Sequence, residues 1–257
     1  MKISSPRFKA FGAALLASFV VASLPAVEIK EDHFKALLDQ DSGHIQKSLK
    51  DGTPDKKGII QSKATALMIA QAAQDRIVGK DGAADAQMAT LRDNAVKVAE
   101  AVAAKKYKDA AETAKLLNLK TPADKSAKTD PIEIHKKAKF DMIDLMSPLK
   151  KTASGGLNVE NDIKDGSEKL KDVSKVPVLA ARIIVLAELT EKMPTDTGSG
   201  KKSEANWKRY AKQMKDAATE TYEISTVAKP DVKKVQAALG KINASCTECH
   251  SVFKTGG

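Results

Sequence analysis

Residues Ala64 to Ile77 set Leu67, Ile69, Ala70, Ala73 and Ile77 at helical spacing, and the same pattern recurs through most of the chain. A succession of such stretches, broken by Gly and Pro, buries its apolar faces by packing helix on helix. Asp51-Gly52-Thr53-Pro54 ends one helix and begins the next, and Gly79 to Gly82 reads as a turn. Ala84 to Ala104 predicts a further helix and Tyr107 to Leu117 a shorter one. The polar stretch Leu119 to Asp130 holds Pro122 and is followed by Pro131, so it reads as a linker. Beyond it the spacing predicts helices over Ile132 to Lys150, Ser167 to Met193 (its first turns kinked at Pro177), Glu204 to Val227 and Asp231 to about Phe253. One Trp, three Tyr and six Phe are too few for an aromatic-rich sandwich or barrel. The expected fold is all-α, with a core of Ala, Leu and Val.

The N-terminus has the make-up of a secretory leader. Met1-Lys2, Arg7 and Lys9 precede an uncharged run from Phe11 to Leu24, which is short for a bilayer span. Small residues around Ala22-Ser23 and Pro25-Ala26 offer cleavage sites, Ala26 being preferred, which makes residues 1–26 a signal peptide. An uncleaved anchor helix is the competing reading. No later segment approaches the roughly 18 consecutive apolar residues of a membrane helix. The mature chain therefore reads as exported, periplasmic or secreted, without a transmembrane segment.

The two halves also resemble each other. Ala64 to Asp75 can be laid on Ala180 to Glu191, Asp85 to Leu91 on Glu204 to Tyr210, and Lys115 to Asn118 on Lys241 to Asn243. A tandem duplication accounts for this: two antiparallel four-helix bundles, at 27–120 and 131–257, joined by the linker 121–130.

Cys246-Thr247-Glu248-Cys249-His250 is the most specific motif in the chain, a Cys-x-x-Cys-His of the kind that attaches haem c. Two thiols three residues apart add to the two vinyl groups on one edge of the macrocycle. The next residue then sets an imidazole beneath the iron. A thioredoxin-like redox pair calls for a βαβ pattern, which the chain lacks. A zinc half-site needs a second Cys/His cluster, and these are the only two cysteines. A simple disulfide is the remaining alternative. The first half has no counterpart: the aligned positions read Thr121, Asp124 and Lys125. His33 and His44 are isolated there, and Met68 and Met88 fit packing roles, so the first bundle reads as haemless.

The motif lies near the C-terminus, on the last helix of a four-helix unit, and there the chain resembles the class II cytochromes c, the cytochrome c′-like family. The resemblance spans roughly Pro131 to Lys254. It is best from Trp207-Lys208 through Ala217-Ala218 and Ala228-Lys229-Pro230-Asp231 to the motif and the following Phe253 and Lys254. It implies one covalent haem c held by Cys246 and Cys249, with His250 as proximal iron ligand and Lys254 and Trp207 in the haem environment. It also implies that the first helix of the unit faces the distal side of the iron. His135, Ala138, Met142, Leu145 and Leu149 would share one face of that helix, with His135 and Met142 about 10 Å apart, so only one can reach the iron. Met142 gives a His/Met site of raised potential, His135 a lower-potential bis-His site, and neither leaves the iron open.

No paired carboxylates, nucleophile–base motif or phosphate loop stands out, so the chain reads as a non-enzyme. The formal charge is +10. Residues 28–124 hold 16 Lys and Arg against 15 Asp and Glu, whereas residues 125–257 hold 24 against 18. The excess on the motif-bearing half suits an acidic redox partner, or is simply a solvated surface. Basic residues interleaved with aromatics are missing, which argues against nucleic acid. The expected function is single-electron transfer between redox partners. The alternatives are a five-coordinate protein that binds a gas such as NO or CO, and a structural or partner-binding bundle with a vestigial haem. A homodimer is plausible by the same resemblance.

Overall fold

The computed structural model describes residues 27–77, 82–139, 141–194 and 197–253. The leader at 1–26 and Lys254 lie outside the described residues. Among the described residues there are nine α-helices and several 3-10 turns, and no strand. The all-α class read from the sequence is the observed one.

α1 (Glu31–Ser48) opens on Glu31 and Asp32 and closes on Lys47, charges that suit the two ends of the helix dipole. α2 (Lys56–Gln74) is capped by Asp55, whose carboxylate accepts the Gly58 N–H at 2.6 Å. α3 (Gly82–Ala103) and α4 (Tyr107–Ala114) complete the first half. The second half holds α5 (Met142–Met146), α6 (Val159–Glu168), α7 (Val176–Glu191), α8 (Glu204–Ser225) and α9 (Val232–Phe253). Pro177 starts α7 rather than kinking it, because a proline is tolerated where no intrahelical N–H is required.

α2 and α3 pair along their length, flanked by α1 and α4; α7, α8 and α9 pack in succession, with α6 laid on α9. α1 and α2 both reach α7, and one apolar core runs through both halves. Every residue from Val176 to Ala187 is buried, the signature of a central helix covered on all sides. One of them is Arg182. Its guanidinium donates to Asp41 Oδ1 at 2.6 Å and to Gln40 Oε1 at 3.1 Å, an ion pair between α7 and α1 that is almost wholly out of water. The Tyr222 hydroxyl on α8 accepts the Lys30 N–H at 2.7 Å and meets His33 Nδ1 at 2.9 Å, a second tie between the halves.

The linker is a strap. Arg92 of α3, 1% exposed, donates to the carbonyls of Lys128 and Asp130 at 2.7 and 2.8 Å. Gln87 donates to Thr121 O, and the Thr90 hydroxyl accepts from Asp124 N. At the far end Gln74 both donates to Ile132 O and accepts from Ile132 N.

The expected helix from Ile132 to Lys150 does not form. In its place are a 3-10 turn at Ile134–Lys136, the short α5, and a second 3-10 turn at Ser147–Leu149 that begins with Pro148 close behind. Tertiary contacts override local propensity here. Besides the Gln74 clamp, Lys63 of α2 donates to Lys139 O at 2.6 Å and pairs with Asp144 at 2.8 Å. The loop that follows docks on the same helix, Gln61 donating to Ser154 O at 3.1 Å. Gly155 beside it has φ 84°, and a Cβ there would meet Gln61 Oε1 at 2.8 Å.

Candidate functional site

α9 is long because Asp231 takes the N–H groups of Lys233 and Lys234 just before its first turn, directly after Pro230. Val235, Leu239 and Ile242 bury its early turns, and Phe253 anchors the end. Cys246, Cys249 and His250 then fall within an arc of about 100° at 3.6 residues per turn. They sit at the edge of the buried face. The two thiols are half-buried and His250 is exposed.

Both cysteines are unpaired with each other. Cys246 Sγ lies 3.9 Å from Met214 Sδ of α8. Burial pushes the Cys246 thiol up to about 11, with the neighbouring Cys249 adding to it, and burial alone takes Cys249 to about 11. Both therefore remain protonated thiols at neutral pH. This donor set fits a haem c: two reduced thiols one turn apart, an imidazole beside them and no competing disulfide. Among the described residues no cluster of three or more His, Cys, Asp and Glu is arranged to hold a bare metal ion.

Trp207 sits in the core beneath this face. Its indole N–H donates to Thr190 O at 2.6 Å, and its ring meets Phe253 edge-on at 5.0 Å. Tyr210 meets the other side of Phe253 at 6.1 Å. Trp207 thereby fixes the last turn of α9, three residues beyond His250, against α7 and α8.

A family model described as Cytochrome C' matches residues 130–254. Residues 130–254 are thus similar to the cytochrome c′ family. No curated protein and no solved structure matches the chain significantly. The cytochrome c′ match ends with the motif and Phe253–Lys254, and it begins at the strap that Arg92 holds.

Within the matched residues, the structure separates residues that the sequence placed together. His135 lies in a 3-10 turn and Met142 opens α5, so the two do not share a helix face. Both elements pack on α2, and the helix laid along α9 is α6. Met142 is 7% exposed and belongs to the common core. α6 carries neither His nor Met, and its Glu160 is the charged group that acts on Cys246. Two charged residues on α7 escaped the sequence reading, Arg182 and Glu188. The signal was present, since a charge inside an otherwise apolar stretch requires a partner.

Proposed function

We propose that the chain is an exported monohaem c-type cytochrome that carries single electrons between redox partners. Cys246 and Cys249 hold the haem through thioethers, and His250 is the proximal ligand. When bound, the haem supplies an iron that cycles between ferrous and ferric states. The observation that carries the reading is the placement of the motif. Two protonated thiols and an exposed imidazole line one edge of a firmly anchored helix, which leaves a macrocycle edge within reach of a partner. The leader at 1–26 and an acidic partner, matched to the basic excess of residues 125–257, complete the proposal. Among the described residues no helix is long and apolar enough to cross a membrane.

A second reading, gas binding at an open iron, draws on a separate observation. His135 and Met142 are engaged against α2, and α6 offers no strong ligand in their place. Absorption spectra of the ferric and ferrous protein, with a redox titration, test both. A reversible one-electron couple is expected; its absence overturns electron transfer. Ferrous haem that binds carbon monoxide, unchanged in Met142→Ala and His135→Ala, decides for the open iron. A six-coordinate low-spin spectrum insensitive to carbon monoxide excludes it.

A further inference from the structure

Two carboxyl groups face each other where α2 meets α7. Asp75 is the residue that closes α2, and Glu188 lies on the last turn of α7. Their side chains are within hydrogen-bond reach. Glu188 Oε1 is taken by Lys215 of α8 at 2.6 Å, whereas its buried Oε2 has no donor among the described residues. On the other carboxyl, Gln71 donates to Asp75 Oδ1 at 2.6 Å. A buried carboxylate oxygen without a donor is costly. The group positioned to supply one is Asp75, and it can do so only as the neutral acid.

We infer that Asp75 and Glu188 share one proton across the contact between the two halves of the chain, forming a pH-sensitive latch. The proton sits on Asp75 and points at Glu188 Oε2, while Glu188 keeps its charge against Lys215. Among the described residues the other charged groups facing the pair are few. Lys192, at the end of α7, and Lys215 are the cations; Glu191 adds negative charge beside Lys215; His135, in the turn packed on α2, faces Lys192. Lys192 Nζ is turned to Gln71 Oε1 at 3.5 Å rather than onto either carboxylate. Asp75 stands at the exposed rim of the contact and Glu188 is half-buried; two like charges this close would repel, and a single proton removes the repulsion.

The direction of titration follows from the environment. Burial, then the contact with Glu188, pushes Asp75 up to about 8, while Asp75 and Lys215 hold Glu188 below its ordinary range. Glu188, held low, contributes stability that is present above its unfolded 4.5 and lost as pH falls below it. Because the folded chain keeps the Asp75 proton that the unfolded chain gives up, the contribution of Asp75 is complete below its unfolded pKa of 3.8. Its contribution falls as pH rises from there and is gone above about 8.

The experiment uses the full mature haem-bearing chain. The infrared C=O stretch of a protonated carboxyl is followed between about pH 6 and about pH 10, together with the urea midpoint by circular dichroism. The wild type is expected to lose one carboxyl band with a midpoint near 8, and its urea midpoint falls over the same range. Asp75→Asn, which keeps a neutral donor towards Glu188, lacks both changes. Glu188→Gln keeps an acceptor but removes the neighbouring charge, so the band titrates at lower pH. A wild type without a protonated carboxyl at pH 6, or Asp75→Asn that retains the band and the pH-dependent loss, overturns the proposal. Should Asp75→Asn not fold, the wild-type band and the direction of its shift in Glu188→Gln decide alone.

Discussion

Arg182 is 4% exposed among apolar neighbours on α7, and Asp41, which it meets, is 1% exposed. Removing one member of such a pair leaves an uncompensated buried charge. Arg182→Met is expected to cost about 3–5 kcal/mol in urea unfolding, and the double variant Arg182→Met/Asp41→Leu to recover most of it. If the single variant proves neutral, the pair is not holding α1 to α7. An arginine inside the run Val178 to Leu189 announces that it needs a partner. Nothing in the sequence says that the partner is Asp41, 141 residues away. The motif at Cys246, Cys249 and His250 was legible for the opposite reason: its chemistry is local, set by spacing on one helix. Trp207 lies between these cases. Its contact with Phe253 depends on two helices meeting, and the sequence supplied only the two residue types.

At the scale of elements, α8 and α9 were readable to within a few residues because they carry their own punctuation. Ser203 caps α8, accepting the Asn206 N–H at 3.3 Å, and Pro230-Asp231 opens α9. The stretch from Ile132 to Lys150 has helical spacing too, yet α2 dictates its path through Gln61, Lys63 and Gln74. Side chains of a distant element outcompete local propensity there, and no window of sequence contains both participants. The strap at residues 121–130 shows the same dependence. Arg92→Met leaves the Lys128 and Asp130 carbonyls without their donor, so limited trypsin digestion is expected to cut at Lys125 and Lys128 several-fold faster than in the wild type. An unchanged rate means that Gln87 and Thr90 suffice to hold the strap.

At the scale of the whole molecule, the first half acts as more than an appendage, because α1 and α2 cover α7. His44 of α1 lies at this seam. Burial, with Arg182 and Lys47 nearby, holds its imidazole below the ordinary 6.5, while Asp41 works in the opposite direction. The unfolded chain therefore takes up the proton first, so stability is retained above 6.5 and lost as pH falls below it. His44→Gln is expected to flatten that acid-side loss in thermal unfolding, and an unaltered slope removes His44 as its source. The seam also has a kinetic meaning. Its ties join residues 141 and 192 positions apart, whereas α2 with α3, and α7 with α8 and α9, are neighbours in the chain. Closing long loops costs entropy before any contact repays it, so the local pairs assemble first and the seam closes last. The helix that presents the two thiols is thus built early, against α8, while α7 still has an open flank.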